Sequence, residues 1–177
     1  HPKNDNTNYF PNDEIREVFT KYYLSVEKLF FSLMQLLNDT MKLSPGTLER
    51  ALDFRDGIAI FNYSNKHQKD GSLPNLVGHV DWGPLAIVYN TGPGLEVFQD
   101  NEWRPVISPP GSFIINLGDM LTRLTNGRWK STLHRVQNYN TERMSLVFQA
   151  CETMLTKEER SQSKKTIIQP LPGFIPE

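Results

Sequence analysis

One cysteine, Cys151, is all that 177 residues provide, so no internal disulfide can form and packing alone must hold the fold. No stretch approaches the roughly 20 consecutive apolar residues that cross a bilayer, which excludes a helical membrane anchor within these residues. Charge of either sign is not in excess, since 19 basic against 20 acidic residues leave a net charge of −1. No run of Lys or Arg forms a phosphate-binding stripe, and nucleic acid is not an expected partner. Low-complexity segments and internal repeats are missing too. The chain starts without Met and without a basic-then-apolar leader, and it reads as a fragment or a processed piece, with any targeting signal expected upstream. Together these absences lead us to expect a soluble protein of a reducing, cytoplasmic setting with no membrane partner; none of them speaks to oligomeric state.

What is present suffices for one core. Residues 1–11, "HPKNDNTNYFP", are polar and end at a proline, which suits an irregular lead-in. Asn12 stands where an N-cap belongs. From Asp13 onward Ile15, Val18, Phe19, Tyr22, Tyr23, Val26, Leu29, Phe30, Leu33, Leu37 and Met41 recur at three- and four-residue steps, the pattern of a long amphipathic helix with one packed face. "LSPGTLERAL" predicts a second, short helix with Ser44 as cap and Pro45 at its first position. After "FRDG" the texture changes to short β-branched and aromatic runs: "IAIFNY", "LAIVYN", "LEVFQ", "SFIINL", "TLHRVQN" and "MSLVFQA". Many short strands with no long helix between them predict a mainly β sandwich or barrel, one face covered by the leading helix. "TNGRW" carries the Asn-Gly pair that favours a tight hairpin. The expected organisation is one structural domain: helical support over residues 1–57, a β core over 58–152, and a proline-rich tail over 153–177.

Chemistry enters with "HVD", residues 79–81. Side chains alternate along a strand, so His79 and Asp81 are expected to point into one space while Val80 points away. A later strand, "STLHRV", places His134 among residues that read as core. Two imidazoles and one carboxylate on a β scaffold form the facial triad of non-haem Fe(II), which leaves three positions open. Zinc with two histidines and an acid is the competing metal. A second pair bears on that choice. "ERMSLVF" puts Arg143 and Ser145 on one face of the last strand, and a buried Arg needs an anion for its planar fork. A zinc hydrolase has no general need of such a pair, whereas an iron enzyme that takes a dicarboxylate cosubstrate does.

Taken in order, "GHVDWGPLAIVYN", "GLEVFQDNEWRPV", "PPGSFIINLGDMLTRLTNGRWKSTLHRV" and "ERMSLVFQA" resemble the catalytic half of the Fe(II)- and 2-oxoglutarate-dependent dioxygenases, in the isopenicillin N synthase-like branch. The resemblance implies a double-stranded β-helix, jelly-roll and cupin-like, with the long N-terminal helix packed on it. It implies an oxidoreductase that uses O2 and 2-oxoglutarate to hydroxylate, desaturate or cyclise a small organic substrate, releasing succinate and CO2. By the same resemblance His79, Asp81 and His134 correspond to the iron ligands, and Arg143 and Ser145 to the pair that holds the distal carboxylate of 2-oxoglutarate. Tyr63, in "IFNYS", corresponds to a tyrosine that hydrogen-bonds that carboxylate, although many relatives have proline where this chain has Ser64. Relatives also carry a further N-terminal portion. Two alternatives stay open: a related iron oxidase that dispenses with 2-oxoglutarate, and an inactive barrel that serves as a binding module.

Phe61, Trp82, Tyr89, Leu133 and Phe148 are candidates for the substrate pocket, with core packing as the plain alternative for each. Asp119 and Asn116, in "NLGD", are expected to shape a turn ahead of a new strand. His67 belongs to a polar loop, and Lys130 and Arg135 are expected to be structural.

Overall fold

The computed structural model describes residues 8–52, 54–64, 76–137 and 141–152. The element order is α1 (Asp13–Thr40), α2 (Thr47–Leu52), β1 (Phe54–Ser64), β2 (Leu76–His79), β3 (Leu85–Asn90), β4 (Leu95–Gln99), β5 (Glu102–Pro105), β6 (Ile114–Leu117), α3 (Asp119–Leu124), β7 (His134–Val136) and β8 (Arg143–Glu152). The strands form two four-stranded sheets, ordered β1-β8-β3-β6 and β2-β7-β4-β5. The β2/β7, β3/β6, β4/β5 and β4/β7 pairs are antiparallel. This is a double-stranded β-helix. His67 and the tail after Glu152 lie outside the described residues.

By its internal contacts the chain divides into two compact units, one containing the described residues up to Ala59 and those from Phe148 onward, the other running from Ile60 to Val147. In the first, Asn12 caps α1 by accepting from the amide of Ile15 at 2.9 Å, and Asp13 and Glu14 sit at the positive end of the helix dipole. The buried face of α1 is Tyr23, Val26, Phe30, Met34 and Asn38, spaced at three and four residues. Val18, read as part of that face, is 62% exposed. The polar member earns its burial through hydrogen bonds: the Asn38 amide donates to the Ser44 carbonyl at 2.7 Å, and its oxygen accepts from the Leu48 amide at 3.3 Å. The second helix begins at Thr47 rather than Pro45, because Gly46 has φ +72° and breaks helical geometry there. Tyr23 and Phe30 pack on Phe148 with ring centroids 5.4 and 5.8 Å away. A Cβ on Gly57 would lie 2.7 Å from both the Phe148 ring and the Tyr23 hydroxyl, so only glycine fits beneath this cluster.

In the second unit, β3 and β6 pair from Leu85↔Leu117 to Val88↔Ile114, and β4 pairs with both β5 and β7. β5, "EWRP", has no β-branched run of its own to mark it in the sequence apart from β4. The turn between them uses Asp100 and Asn101, with φ +53° and +63°, and this is where the positive-φ hairpin sits. The expected hairpin at "TNGRW" is instead the end of a helix. Asn126 and Gly127, φ +49° and +79°, follow α3, and their amides return to the carbonyls of Arg123 and Thr122 at 3.1 and 2.8 Å. Consecutive positive φ values serve helix C-termini as well as hairpins, so the dipeptide alone did not distinguish them.

Candidate metal and anion site

His79 is the last residue of β2, and His134, the first of β7, is its register partner. Asp81 lies beyond the strand, just ahead of the bend at residues 82–84 that leads to β3. Its main chain is fixed by the start of α3: the Asp119 amide donates to the Asp81 carbonyl at 2.8 Å, the Gly118 amide to Pro84 at 2.9 Å, and the Met120 amide to Trp82 at 3.2 Å. The "NLGD" stretch therefore opens a helix instead of a strand. Asp119 begins α3, where its carboxylate accepts from Arg123 Nε at 2.8 Å.

The histidine rings are oriented by backbone. Nδ1 of His79 lies 2.9 Å from the Val77 carbonyl, and Nδ1 of His134 lies 3.0 Å from the Thr132 carbonyl. A carbonyl oxygen only accepts, so each Nδ1 carries a proton, and in the neutral ring the lone pair is then on Nε2. Those two Nε2 atoms each lie 3.8 Å from one oxygen, Asp81 Oδ1. One ligand atom from each of the three residues falls within a 4.8 Å group, the only such cluster among the described residues. Side-chain exposure is 34% for His79 against 12% for His134 and 14% for Asp81, so the group opens on one side.

Asn116 was expected to shape a turn and does not. It sits in β6, where its amide nitrogen is 2.5 Å from Asp81 Oδ2 and 3.3 Å from His134 Nδ1. The available signal was a polar side chain within an otherwise apolar strand, "IINL".

Arg143 and Ser145 share a face, as alternation requires. Nη1 of Arg143 donates to Ser145 Oγ at 3.1 Å, and both residues are buried, Arg143 to 6% exposure. Its Nε is buried without a partner, and burial pulls the guanidinium below its ordinary pKa. No carboxylate bonds to it among the contacts described. A buried guanidinium with Nε free and Nη1 on a neutral hydroxyl fits a carboxylate ligand. Tyr63 is exposed, and its hydroxyl donates to Glu142 Oε1 at 3.1 Å.

The pocket candidates disperse. Phe148 is 1% exposed in the Tyr23–Phe30 cluster and is core. Leu133 gives its carbonyl to the Phe98 amide, and its side chain lies beside Gly78, on which Trp103 also packs. Tyr89 meets Phe113 at 6.2 Å and lines a proline- and glycine-rich cleft that includes none of the triad. Trp82 is 55% exposed beneath Arg123, whose guanidinium carbon is 5.1 Å from the ring centroid, and Phe61 is exposed. Arg135 is structural, paired with Glu96 at 2.7 Å and lying over Trp103 at 4.2 Å.

Residues 55–152 match the 2OG-Fe(II) oxygenase superfamily. The chain belongs to that superfamily. Its relatives include gibberellin 20 oxidase 2 of Oryza sativa subsp. indica, 35% identical over 136 residues, which cover 76% of this chain and 35% of the oxidase. Protein DMR6-LIKE OXYGENASE 2 of Arabidopsis thaliana is 30% identical over 150 residues, covering 82% of this chain and 43% of that protein. Among solved structures, JOX2 in complex with 2OG, Fe and JA superposes with a TM-score of 0.79 at 28% identity, covering 97% of this chain and 49% of JOX2. The match thus spans 35% and 43% of the length of these two curated relatives. The superfamily is one of oxidoreductases, and no helix among the described residues is long and apolar enough to cross a membrane.

Proposed function

We propose that this chain is the catalytic part of an Fe(II)- and 2-oxoglutarate-dependent dioxygenase of the isopenicillin N synthase-like branch, acting in the cytoplasm on a small organic substrate. His79 and His134 hold the iron through Nε2 and Asp81 through a carboxylate oxygen. Arg143 and Ser145 bind the distal carboxylate of 2-oxoglutarate. The observation that carries this reading is the convergence of two backbone-locked imidazole lone pairs on one oxygen of Asp81. When bound, iron and 2-oxoglutarate supply O2 activation, with the ketoacid oxidised to succinate and CO2 and two electrons passed to oxygen. The protein binds and orients. Arg143 neutralises the cosubstrate's far charge in a water-poor setting, Ser145 adds a donor, and the carbonyls of Val77 and Thr132 hold the imidazole tautomers. Tyr63, whose hydroxyl donates to Glu142, would offer a further donor to the same carboxylate. Names such as gibberellin 20 oxidase support a small organic substrate that is hydroxylated, desaturated or cyclised.

The test is turnover of the Fe(II)-loaded chain against a panel of small carboxylic acids, with succinate and oxidised product quantified together. One succinate per oxidised product, absent in His79→Ala, supports the reading. Product formation that is independent of 2-oxoglutarate contradicts it.

A further inference from the structure

We infer that Asn116 is a positioning residue that makes Asp81 a one-oxygen metal ligand. An amide nitrogen donates and cannot accept, and Nδ1 of His134 already gives its proton to Thr132, so the bond made by Asn116 is the one to Asp81 Oδ2. With Oδ2 occupied, the carboxylate is turned so that Oδ1 faces both Nε2 atoms at 3.8 Å. A carboxylate free at both oxygens can chelate through both and consume a coordination position. Tied at Oδ2, it contributes one donor, the protein set stays at three, and the remaining positions are kept for small molecules.

The grip is two-ended. Asn116 fixes the carboxylate, and three residues later the Asp119 amide fixes the carbonyl of the same Asp81 at 2.8 Å. Pairing with Ala86 in β3 sets the position of Asn116. A hydrogen bond to an ionised acceptor is about twice as strong as a neutral one, enough to hold one carboxylate rotamer. The inference rests on the metal-ligand reading given above.

Its test uses Co(II) alone on the full chain, followed by calorimetry and by the visible d–d spectrum, in wild type, Asn116→Leu and Asn116→Ala. Leu keeps the bulk of the side chain without its donor, and Ala serves if Leu disturbs folding. In the variants the Co(II) dissociation constant should rise about 10- to 100-fold, and the d–d bands at saturation should shift as the second oxygen joins the metal. The metal-free variants should melt within a few degrees of wild type. Wild-type affinity in a folded variant, or weaker affinity with unchanged bands, overturns the inference and leaves the metal site intact. Failure of wild type itself to bind Co(II) refutes the metal-ligand reading, and the inference falls with it.

Discussion

A side-chain carbon on Gly118 would lie 2.0 Å from the carbonyl oxygen of Gly83. Gly118 has φ −106°, which any residue adopts, so glycine is required here for space rather than for backbone freedom. The close approach lets the first amides of α3 reach the carbonyls of Asp81 and Trp82. Gly118→Ala should therefore push the Asp81 segment off the helix. We expect a loss of about 1–3 kcal/mol in denaturant unfolding, the usual cost of overpacking, together with weakened Co(II) binding. Wild-type values for both would show that the segment relaxes freely.

His79→Ala and Asp81→Ala should each abolish iron retention after anaerobic loading and desalting, with the far-ultraviolet circular dichroism of wild type. Each removes one of three donors at an open-sided site, while the buried residues elsewhere are mostly apolar. Full occupancy in either variant would remove that residue from the ligand set.

Arg143 carries a buried charge whose Nε has no partner, so its burial is unfavourable until an anion arrives. Arg143→Met should melt no lower than wild type in the absence of ligand. At a hundredfold excess over Kd, 2-oxoglutarate should stabilise the metal-loaded wild type by about 2.7 kcal/mol. Thermal unfolding should show that shift abolished in Arg143→Met and only reduced in Ser145→Ala, which loses a neutral donor. Equal shifts in all three proteins would place the anion elsewhere.

Tyr63 should ionise later than an ordinary tyrosine. The hydrogen bond to Glu142 is the main cause, with a smaller desolvation effect and then repulsion from the same carboxylate. The neutral phenol is the donor, so the contact is present below the ordinary phenol range and is lost as pH rises through the raised value of the folded state. In an alkaline titration of tyrosinate absorbance, subtracting Tyr63→Phe isolates the group. Glu142→Gln should move its transition to lower pH, and an unmoved transition would rule out the Glu142 contact as the cause.

Much of this was legible in sequence. The three- and four-residue spacing of α1 and its Asn12 cap follow from local rules, and strand alternation put Arg143 and Ser145 on one face. Phe148 has the opposite parity to that odd-numbered pair, but so has Met144, which is 40% exposed, so alternation alone does not place Phe148 in the core. Asp81 is a subtler case. Alternation puts it beside His79, yet β2 ends at His79, and the Asp81 carbonyl is held by the amide of Asp119, far along the chain. No local pattern carries such a long-range bond, and the tie from Asn116 was hidden for the same reason.

The most direct test of the central claim is an anaerobic titration of the Fe(II)-loaded chain with 2-oxoglutarate, watched for the visible charge-transfer band of an iron-bound ketoacid. The expected result is a saturable band that is absent in His134→Ala and needs far more 2-oxoglutarate in Arg143→Met. Iron binding without a band in the wild-type chain would contradict use of 2-oxoglutarate at this site, and failure to bind iron would contradict the triad itself.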